Sequence, residues 1–277
     1  MIKFSQEFKL GGSDIFLNCC TGIEDFYSLL SGIHTSKVVN YPMLVTMTEN
    51  PYQVLGDFFK FIHAQYVGKF QELTKGYIES INQKNYLVAA LCGRSIIEST
   101  ATLRYYNKEC KRKIRFSAEN HRPDNDEFDL KMINSVLQIL EQHMRGSRFD
   151  WSKFFTSDKK TFVHELVEKA KSQNKSQEFP ESLPIIRLLE SWSKDAPELR
   201  LFYDFFSDLV HPNFGSNLLL MGVSENTTQI GGDTNKSIGK KICAESVMLL
   251  TPCIKEASLQ LGESVLLSCL GDPLESN

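Results

Sequence analysis

The sequence lacks the features that mark secreted, membrane-spanning and disulfide-stapled proteins. Its first ten residues carry scattered charges and no apolar run, so we expect no secretion signal. No stretch approaches the roughly 18 uncharged apolar residues that a membrane-spanning helix needs. The seven cysteines are odd in number, and no two have the spacing of half a zinc site. These absences predict a cytoplasmic protein with reduced cysteines and no membrane association.

Glycine, proline and net charge are also scarce. Sixteen glycines and nine prolines are few for 277 residues, which argues against a turn-rich all-β fold. The 31 basic and 34 acidic side chains give a net charge of −3, which excludes a histone-like polycation but allows a local basic patch. Hydrophobic residues make up 42% and charged residues 23%, which excludes disorder as the main state. The composition predicts a globular and largely helical chain.

Familiar catalytic and cofactor motifs are missing as well. The chain has no Walker loop, no glycine-rich dinucleotide loop and no His-Glu-x-x-His zinc motif. Five of the six histidines are scattered without the helical spacing of metal ligands: His34, His63, His121, His143 and His164. We therefore expect neither a metal nor a cofactor.

Apolar periodicity predicts an all-α, antiparallel helical bundle. We expect an irregular N-terminal appendage over residues 1–50, a helical bundle domain over 51–270 and a tail over 271–277. The predicted helices cover residues 23–30, 51–82, 85–108, 126–144, 159–171, 183–193, 195–211 and 238–270. A short apolar run predicts an extended segment near residues 218–223, followed by a loop or hairpin tip.

Local signals mark several of the predicted helix ends. Asn50 followed by Pro51 suits an N-cap with proline in the first helical position. Asp195 and Glu198 have the spacing of a capping box, which predicts that a helix begins there. Pro212 prevents that helix from continuing, because proline lacks the N–H group that a helix interior requires.

The predicted helix at 85–108 carries two charged side chains where its apolar pattern predicts core. Arg94 and Glu98 lie in a stripe with Leu91 and Ala101, and they are four residues apart, so they share a face and can pair. Breaking a buried ion pair costs about 3–5 kcal/mol. Such a pair persists either as a structural lock or because it acts on a ligand, and the sequence leaves both open.

A polar stripe follows the predicted helix at 195–211, where Arg200, Asp204, Ser207 and His211 recur at steps of three and four residues. One interpretation is the solvated face of an amphipathic helix. The other is a site, because a histidine beside a hydroxyl suits proton transfer and Arg200 and Asp204 could bind a ligand. A serine hydrolase is disfavoured, since no nucleophile-elbow turn surrounds Ser207.

A basic run lies between Arg104 and Arg115. Its members beyond the first two are candidate nucleic-acid contacts: Lys111, Arg112, Lys113 and Arg115. Tyr105, Tyr106 and Phe116 add aromatic surface, a mixture that nucleic acid favours. The alternative is a solvated helix end whose charge is neutralised by the acids that follow Pro123.

Two segments together resemble a known group of proteins. Ala89–Glu98 and Tyr203–Pro212 carry the patterns Arg-Ser-x-x-Glu and Tyr-x-x-x-Ser-x-x-x-His-Pro. The pairing resembles a bacterial helical family built around these two motifs, and that family is similar to the HEPN superfamily of helical bundles. Members of the superfamily include ribonuclease toxins and antiphage effectors. The resemblance implies an intracellular module of bacterial defence or toxin biology that binds or cleaves RNA without a metal.

The resemblance also implies roles for the motif residues. His211 would be the general base or a phosphate contact, and Arg94 or Arg200 the anion clamp. Glu98 and Ser207 would complete the catalytic set.

One departure bears on those roles. Active HEPN ribonucleases carry an arginine and, after four to six residues, a histidine on one helix. Here ten residues separate Arg200 from His211, and Phe205 and Phe206 stand where the arginine would be. Only His211 carries over directly.

These observations leave three functional hypotheses. In the first, the predicted helices at 85–108 and 195–211 pack together and bring Arg94 and Glu98 towards Ser207 and His211, with RNA as the substrate or ligand. In the second, the protein is a non-catalytic interaction or regulatory subunit, in which the same residues form a structural polar lock. Its partner would be another protein or a second copy. In the third, the pocket between the helices senses a small ligand or nucleotide.

Overall fold

The computed structural model describes residues 2–34, 51–120, 126–145, 183–225, 227–231 and 234–269, and most of these are helical. Their elements are α1 (Gln6–Lys9), α2 (Asp14–His34), α3 (Pro51–Asn82), α4 (Tyr86–Asn120), α5 (Asp126–Arg145), α6 (Ile185–Ser193), α7 (Leu199–Val210), α8 (Phe214–Leu218), β1 (Met221–Ser224), β2 (Thr227–Ile230) and α9 (Ser237–Ser268). The predicted all-α class is confirmed. The predicted extended segment becomes the first strand of an antiparallel hairpin, in which Met221 of β1 lies opposite Ile230 of β2.

The chain divides into two compact units. The first combines residues 1–108 with residues 185–277, and the second holds residues 109–184. In the second unit, α5 buries apolar side chains at steps of three and four residues: Ile133, Val136, Leu137 and Leu140.

Three long helices form the core of the first unit, since α2, α3 and α9 pack against one another. Each contributes large apolar side chains that are buried almost completely: Ile23 and Leu30 from α2, Phe59 and Phe70 from α3, and Val247 and Leu250 from α9. Burial of one such side chain contributes about 1.5–3 kcal/mol, so this three-helix contact supplies much of the stability of the unit.

The N-terminal residues belong to this core. Where the sequence analysis sets residues 1–50 apart as an irregular appendage, residues 2–34 form α1 and α2 and lie in the first unit. The buried carboxylate of Glu24 accepts a hydrogen bond from the Phe4 N–H at 2.8 Å and pairs with Lys9 at 2.6 Å. The predicted helix at 23–30 is therefore the middle of a longer helix, anchored to the chain in front of it.

Many helix ends match the predictions, but two do not: α4, predicted to end at residue 108, continues to Asn120, and α7 begins later than predicted. α3 begins at Pro51 and ends at Asn82, as predicted, and α9 begins one residue before its predicted start. α7 begins at Leu199, not at Asp195, and the Glu198 side chain makes no capping hydrogen bond. The capping-box prediction is wrong because the Asp195 carboxylate bonds to Arg104 and Lys108 of α4 instead.

The buried face of α4 also differs from the predicted stripe. Gly93, Ile96, Ile97, Thr100 and Leu103 are buried, whereas Leu91 of the predicted stripe is 46% exposed. Over its first six turns the helix is apolar on nearly every side. Periodicity alone therefore does not distinguish the predicted stripe from the observed buried face, which is rotated from it by about one residue.

Some sequence predictions lie outside the described residues. They are the helix at 159–171, the tail at 271–277 and the last part of the proposed appendage, residues 35–50.

All seven cysteines are free thiols. Burial raises the pKa of Cys20, Cys110, Cys243 and Cys253 to about 12, so these four behave as small apolar side chains. Cys269, by contrast, is exposed.

A histidine connects two helices of the core. His63 of α3 lies with its Nδ1 3.0 Å from the Ser264 Oγ of α9, and Ser264 is fully buried. The Ser264 hydroxyl donates to the Leu261 carbonyl, so His63 Nδ1 is the donor to Ser264. Burial lowers the pKa of His63 below its ordinary value of 6.5.

We predict that His63 makes the protein less stable in mild acid. Because the folded-state pKa lies below the unfolded value, the unfolded chain binds the proton more readily, and stability falls as the pH drops below about 6.5. Urea unfolding between pH 7.5 and 5.5 should show a loss of at most about 1.4 kcal/mol per pH unit from this group. The His63→Gln variant should show a flatter dependence, and a curve parallel to that of the wild type would contradict the prediction.

Candidate functional site

The helices α4 and α7 approach closely where α4 has no side chain. A Cβ atom at Gly93 would overlap the ring of Phe206, which is fully buried. Tyr203 lies one turn before Phe206 on α7, and its hydroxyl accepts a hydrogen bond from an Arg94 guanidinium nitrogen at 3.0 Å. The two helices are therefore in direct side-chain contact, as predicted for the segments that carry the two motifs.

A second contact sets the direction of this pairing. Further along α4, Arg104 donates to the Asp195 carboxylate at 2.7 Å, and Lys108 reaches the same oxygen at 3.2 Å. Residues further along α4 therefore contact residues that come earlier in the α7 region, so the two helices are antiparallel. Arg104 Nε also lies 3.1 Å from a Glu256 oxygen of α9, although not with hydrogen-bond geometry. Asp195 therefore joins the turn before α7 to α4.

Arg94, Glu98 and Tyr203 form a closed polar cluster, which we call the Arg–Glu–Tyr cluster. Arg94 Nε donates to Glu98 Oε1 at 2.9 Å, and the Tyr203 hydroxyl donates to the same oxygen at 3.2 Å. The Arg94 guanidinium carbon lies 5.3 Å from the centroid of the Tyr203 ring, within cation–π range. Each member contacts both of the others.

The Arg–Glu–Tyr cluster lies at the edge of the core and not inside it. The side chains of Arg94 and Glu98 are 24% and 32% exposed, which corrects the expectation of two charges in the core stripe. Burial and then the Glu98 charge raise the pKa of Tyr203, so its hydroxyl keeps its proton. Burial opposes the charge on Arg94, but hydrogen bonding to Glu98 and the Glu98 charge outweigh it and raise the pKa of Arg94.

The predicted partners on α7 do not join this cluster. Among the described residues, neither the Ser207 side chain nor the His211 side chain hydrogen-bonds to Arg94 or Glu98. Ser207 and His211 are linked through the backbone, where the His211 N–H donates to the Ser207 carbonyl at 3.1 Å. Of the four side chains expected to converge, only Arg94 and Glu98 meet. Their partner on α7 is Tyr203 and not Ser207 or His211.

His211 opens the turn between α7 and α8, which several side-chain hydrogen bonds hold together. Asn213 caps α8 in a capping box with Ser216, and its side chain donates to Asp208 at 2.6 Å. A Cβ atom at Gly215 would overlap the Asp208 carboxylate, so a side chain there would displace the carboxylate from its present position. These contacts hold the His-Pro turn in place and leave the His211 side chain exposed.

The rest of the polar stripe on α7 faces solvent. Arg200 Nε donates to both carboxylate oxygens of Asp204 at 3.1 Å, and Asp204 is exposed. The opposite side of the helix buries Leu199, Phe206 and Leu209. The amphipathic interpretation therefore describes this helix, and Arg200 and Asp204 form a surface ion pair.

The basic run divides at the boundary between the two units. Arg104 and Lys108, in the first unit, bond to Asp195. In the second unit, Arg112 pairs with Glu109 at 2.8 Å, and Lys111, Arg112 and Arg115 are exposed while Lys113 is half-buried. The four predicted nucleic-acid contacts therefore lie on different sides of one helix, with Lys111 and Arg115 one turn apart.

No protein-family model, curated protein or solved structure matches this chain. Within the described residues, no three histidine, cysteine or acidic side chains gather as a metal site would require. Nor does any helix in the described ranges have the length and apolar character needed to cross a membrane.

One surface cavity, of about 380 Å³, lies beside the hairpin. Its lining is mainly polar: Val223, Ser224, Gln229, Gly231, Thr234 and Asn235. It includes none of the predicted site residues, so it lends no support to a small-ligand site between α4 and α7.

Sequence reasoning named Arg94 and Glu98 but missed Tyr203, the third member of the Arg–Glu–Tyr cluster. The signal was present, because Tyr203 opens the second motif. It falls one step outside the polar stripe of Arg200, Asp204, Ser207 and His211, and a tyrosine on the edge of an apolar face is usually counted as core.

We predict that Tyr203→Phe destabilises the protein by about 1.5–3 kcal/mol, the range for hydrogen bonds that involve charged groups. The ring remains, so packing on α4 is preserved while both hydrogen bonds of the hydroxyl are lost. Urea unfolding measures the difference. Tyr105→Phe is the matched control, because the Tyr105 hydroxyl makes no hydrogen bond among the described residues. Equal losses in the two variants would show that the cluster contributes nothing specific.

Proposed function

We propose that this protein is a non-catalytic, HEPN-like interaction or regulatory module, in which the Arg–Glu–Tyr cluster is a structural lock between α4 and α7. The fold supports the HEPN-like part only as far as an all-α bundle that packs the two motif helices together. The non-catalytic part rests on the state of the candidate arginines.

The main support for a non-catalytic role is that both arginines proposed as anion clamps are already paired with carboxylates. Arg94 bonds to Glu98 and Tyr203, and Arg200 bonds to Asp204. A phosphate approaching either arginine meets a carboxylate four residues along the same helix, and like charges at that distance repel. Using Arg94 as a clamp would also break a partly buried pair and leave Glu98 without its cation.

His211 adds a second argument. A helix rises by about 1.5 Å per residue, so Tyr203 and His211 lie about 12 Å apart along the axis of α7. The antiparallel pairing places His211 towards the first turn of α4, beyond Gly93. A general base and an anion clamp must reach the same reacting phosphate, but Tyr203, the α7 residue that Arg94 contacts, is about two helical turns from His211.

The proposal predicts that the purified protein does not cleave RNA. We expect a fluorophore–quencher RNA reporter to stay intact for hours with the wild type, as it does in buffer, and the His211→Ala variant to behave in the same way. Induced expression of either form in a bacterium should leave growth and total RNA integrity equal.

The opposite result would be decisive. RNA cleavage or growth arrest by the wild type that His211→Ala abolishes would establish catalysis and reject the proposal. Circular dichroism of both proteins serves as the control, since an unfolded variant would also be inactive. A known ribonuclease added to the reporter shows that cleavage would be detected.

RNA binding without cleavage is a second candidate function. It is favoured by the exposed end of α4, where Lys111 and Arg115 lie one turn apart beside Phe116, which is 60% exposed. Basic side chains beside an exposed ring form the combination that holds single-stranded RNA through phosphate contacts and stacking.

We predict that this end of α4 governs any RNA affinity. Fluorescence anisotropy with a labelled single-stranded RNA should show binding that weakens with salt. The logarithm of the association constant should fall with the logarithm of the salt concentration, with a slope of about −0.7 per phosphate contact. Lys111→Glu with Arg115→Glu should lower both affinity and slope. Lys241→Glu with Lys255→Glu makes the same charge change at exposed positions of α9 and should bind like the wild type. Equal weakening in both variants, or no wild-type binding, would reject an RNA site on α4.

A further inference from the structure

The N-terminal segment, residues 2–10, is held by side chains from other helices. Asn82, at the end of α3, accepts a hydrogen bond from the Ser5 N–H at 2.7 Å and donates to the Lys3 carbonyl at 2.8 Å. Glu24 of α2 accepts from the Phe4 N–H at 2.8 Å. Three successive residues thus have backbone groups bonded to side chains of α2 and α3.

This pattern is how a groove recognises an extended peptide. A peptide that adds to a protein surface gains affinity from main-chain hydrogen bonds and specificity from pockets for its side chains. Here the amide of Asn82 offers a donor and an acceptor to two backbone groups, as a neighbouring strand would. The contacts therefore recognise main-chain atoms of the residues before α1, and they depend little on the side chains at positions 3 and 5.

Two aromatic side chains anchor the segment in the same groove. Phe4 and Phe8 are 3% and 5% exposed. The Phe4 ring meets Tyr77 of α3 edge-on at 6.3 Å, and the Phe8 ring meets Phe16 of α2 at 5.5 Å. The groove therefore selects two aromatic residues four positions apart.

Charges close the outer side of the groove. Glu7 pairs with Lys84 at 2.8 Å, and the Glu7 carbonyl accepts from the Lys240 amine of α9 at 2.6 Å. The Glu7–Lys84 pair is exposed and is screened by salt. After these contacts the chain passes through Gly11, whose φ of 77° gives it a left-handed turn that suits a hinge.

We propose that these residues form a peptide-binding groove, lined by Glu24, Tyr77, Asn82, Lys84 and Lys240, that residues 2–10 occupy in cis. Its ligand is a peptide whose short extended stretch leads into one helical turn, with an aromatic side chain in each part, four positions apart. The N-terminal segment of a second copy has this chemistry and can replace the cis segment by exchange about Gly11. The groove shares no residue with the Arg–Glu–Tyr cluster, so the proposal is independent of the proposed function.

The test uses the full chain with the cis segment disabled. Phe4→Ala with Phe8→Ala removes both anchors and leaves the groove residues unchanged. We expect a labelled peptide of residues 2–10 to bind this variant saturably in fluorescence anisotropy. Binding to the wild type should be at least about tenfold weaker, because a tethered segment competes at high effective concentration.

Two controls separate recognition from adhesion. The same peptide with alanine at both phenylalanine positions should not bind the Phe4→Ala, Phe8→Ala protein. Adding Glu24→Gln and Asn82→Ala to that protein should weaken binding of the unaltered peptide about tenfold, since three backbone hydrogen bonds are affected. A folded variant that binds neither peptide, or both equally, overturns the proposal.

A measurement on the wild type covers the case in which the variant does not fold. Hydrogen exchange at the Phe4 and Ser5 amides reports opening of the segment. We expect them to exchange faster than the buried amides of α2 and α3, through a local opening that salt accelerates. If they exchange only at the rate of global unfolding, the segment is a permanent part of the core and no groove becomes available.

Discussion

The arrangement of α4 and α7 depends on the close contact between Gly93 and Phe206. Because glycine adds no side chain at the contact, the Phe206 ring lies directly against the backbone of α4. This approach brings the Tyr203 hydroxyl within hydrogen-bond distance of Arg94 and Glu98, which a bulkier residue at position 93 would prevent. The polar cluster is thus a consequence of an apolar contact, and the two motifs meet through it.

Once assembled, the cluster satisfies its own charges. Each member has both of the others as hydrogen-bonding partners. A partly exposed ion pair contributes modestly to stability, but a tyrosine hydroxyl shared by both charges fixes the rotation of α7 relative to α4. Asp195, bonded to Arg104 and Lys108, fixes the other end of the same pairing. The two contacts define the register of α7 on α4.

Local sequence signals predicted the start of a helix correctly where interactions between neighbouring residues determine it. Pro51 begins α3 because its ring suits the first turn of a helix, whatever lies around it. Asp195 has the spacing of a cap, yet its carboxylate is bonded to cations 91 and 87 residues away, and α7 begins later. A distant basic pair outweighed a local backbone hydrogen bond, and no window of neighbouring residues contains that competition.

The sequence by itself determined the all-α class, most helix boundaries and the pairing of Arg94 with Glu98, because helical periodicity and capping act within a few residues. Only the tertiary structure decided that Tyr203, not Ser207 or His211, completes the cluster, and that backbone groups of residues 3–7 bond to side chains of α2, α3 and α9. Both outcomes depend on which faces of separate helices meet. A helix that is apolar on nearly every side, as α4 is, leaves that choice to packing.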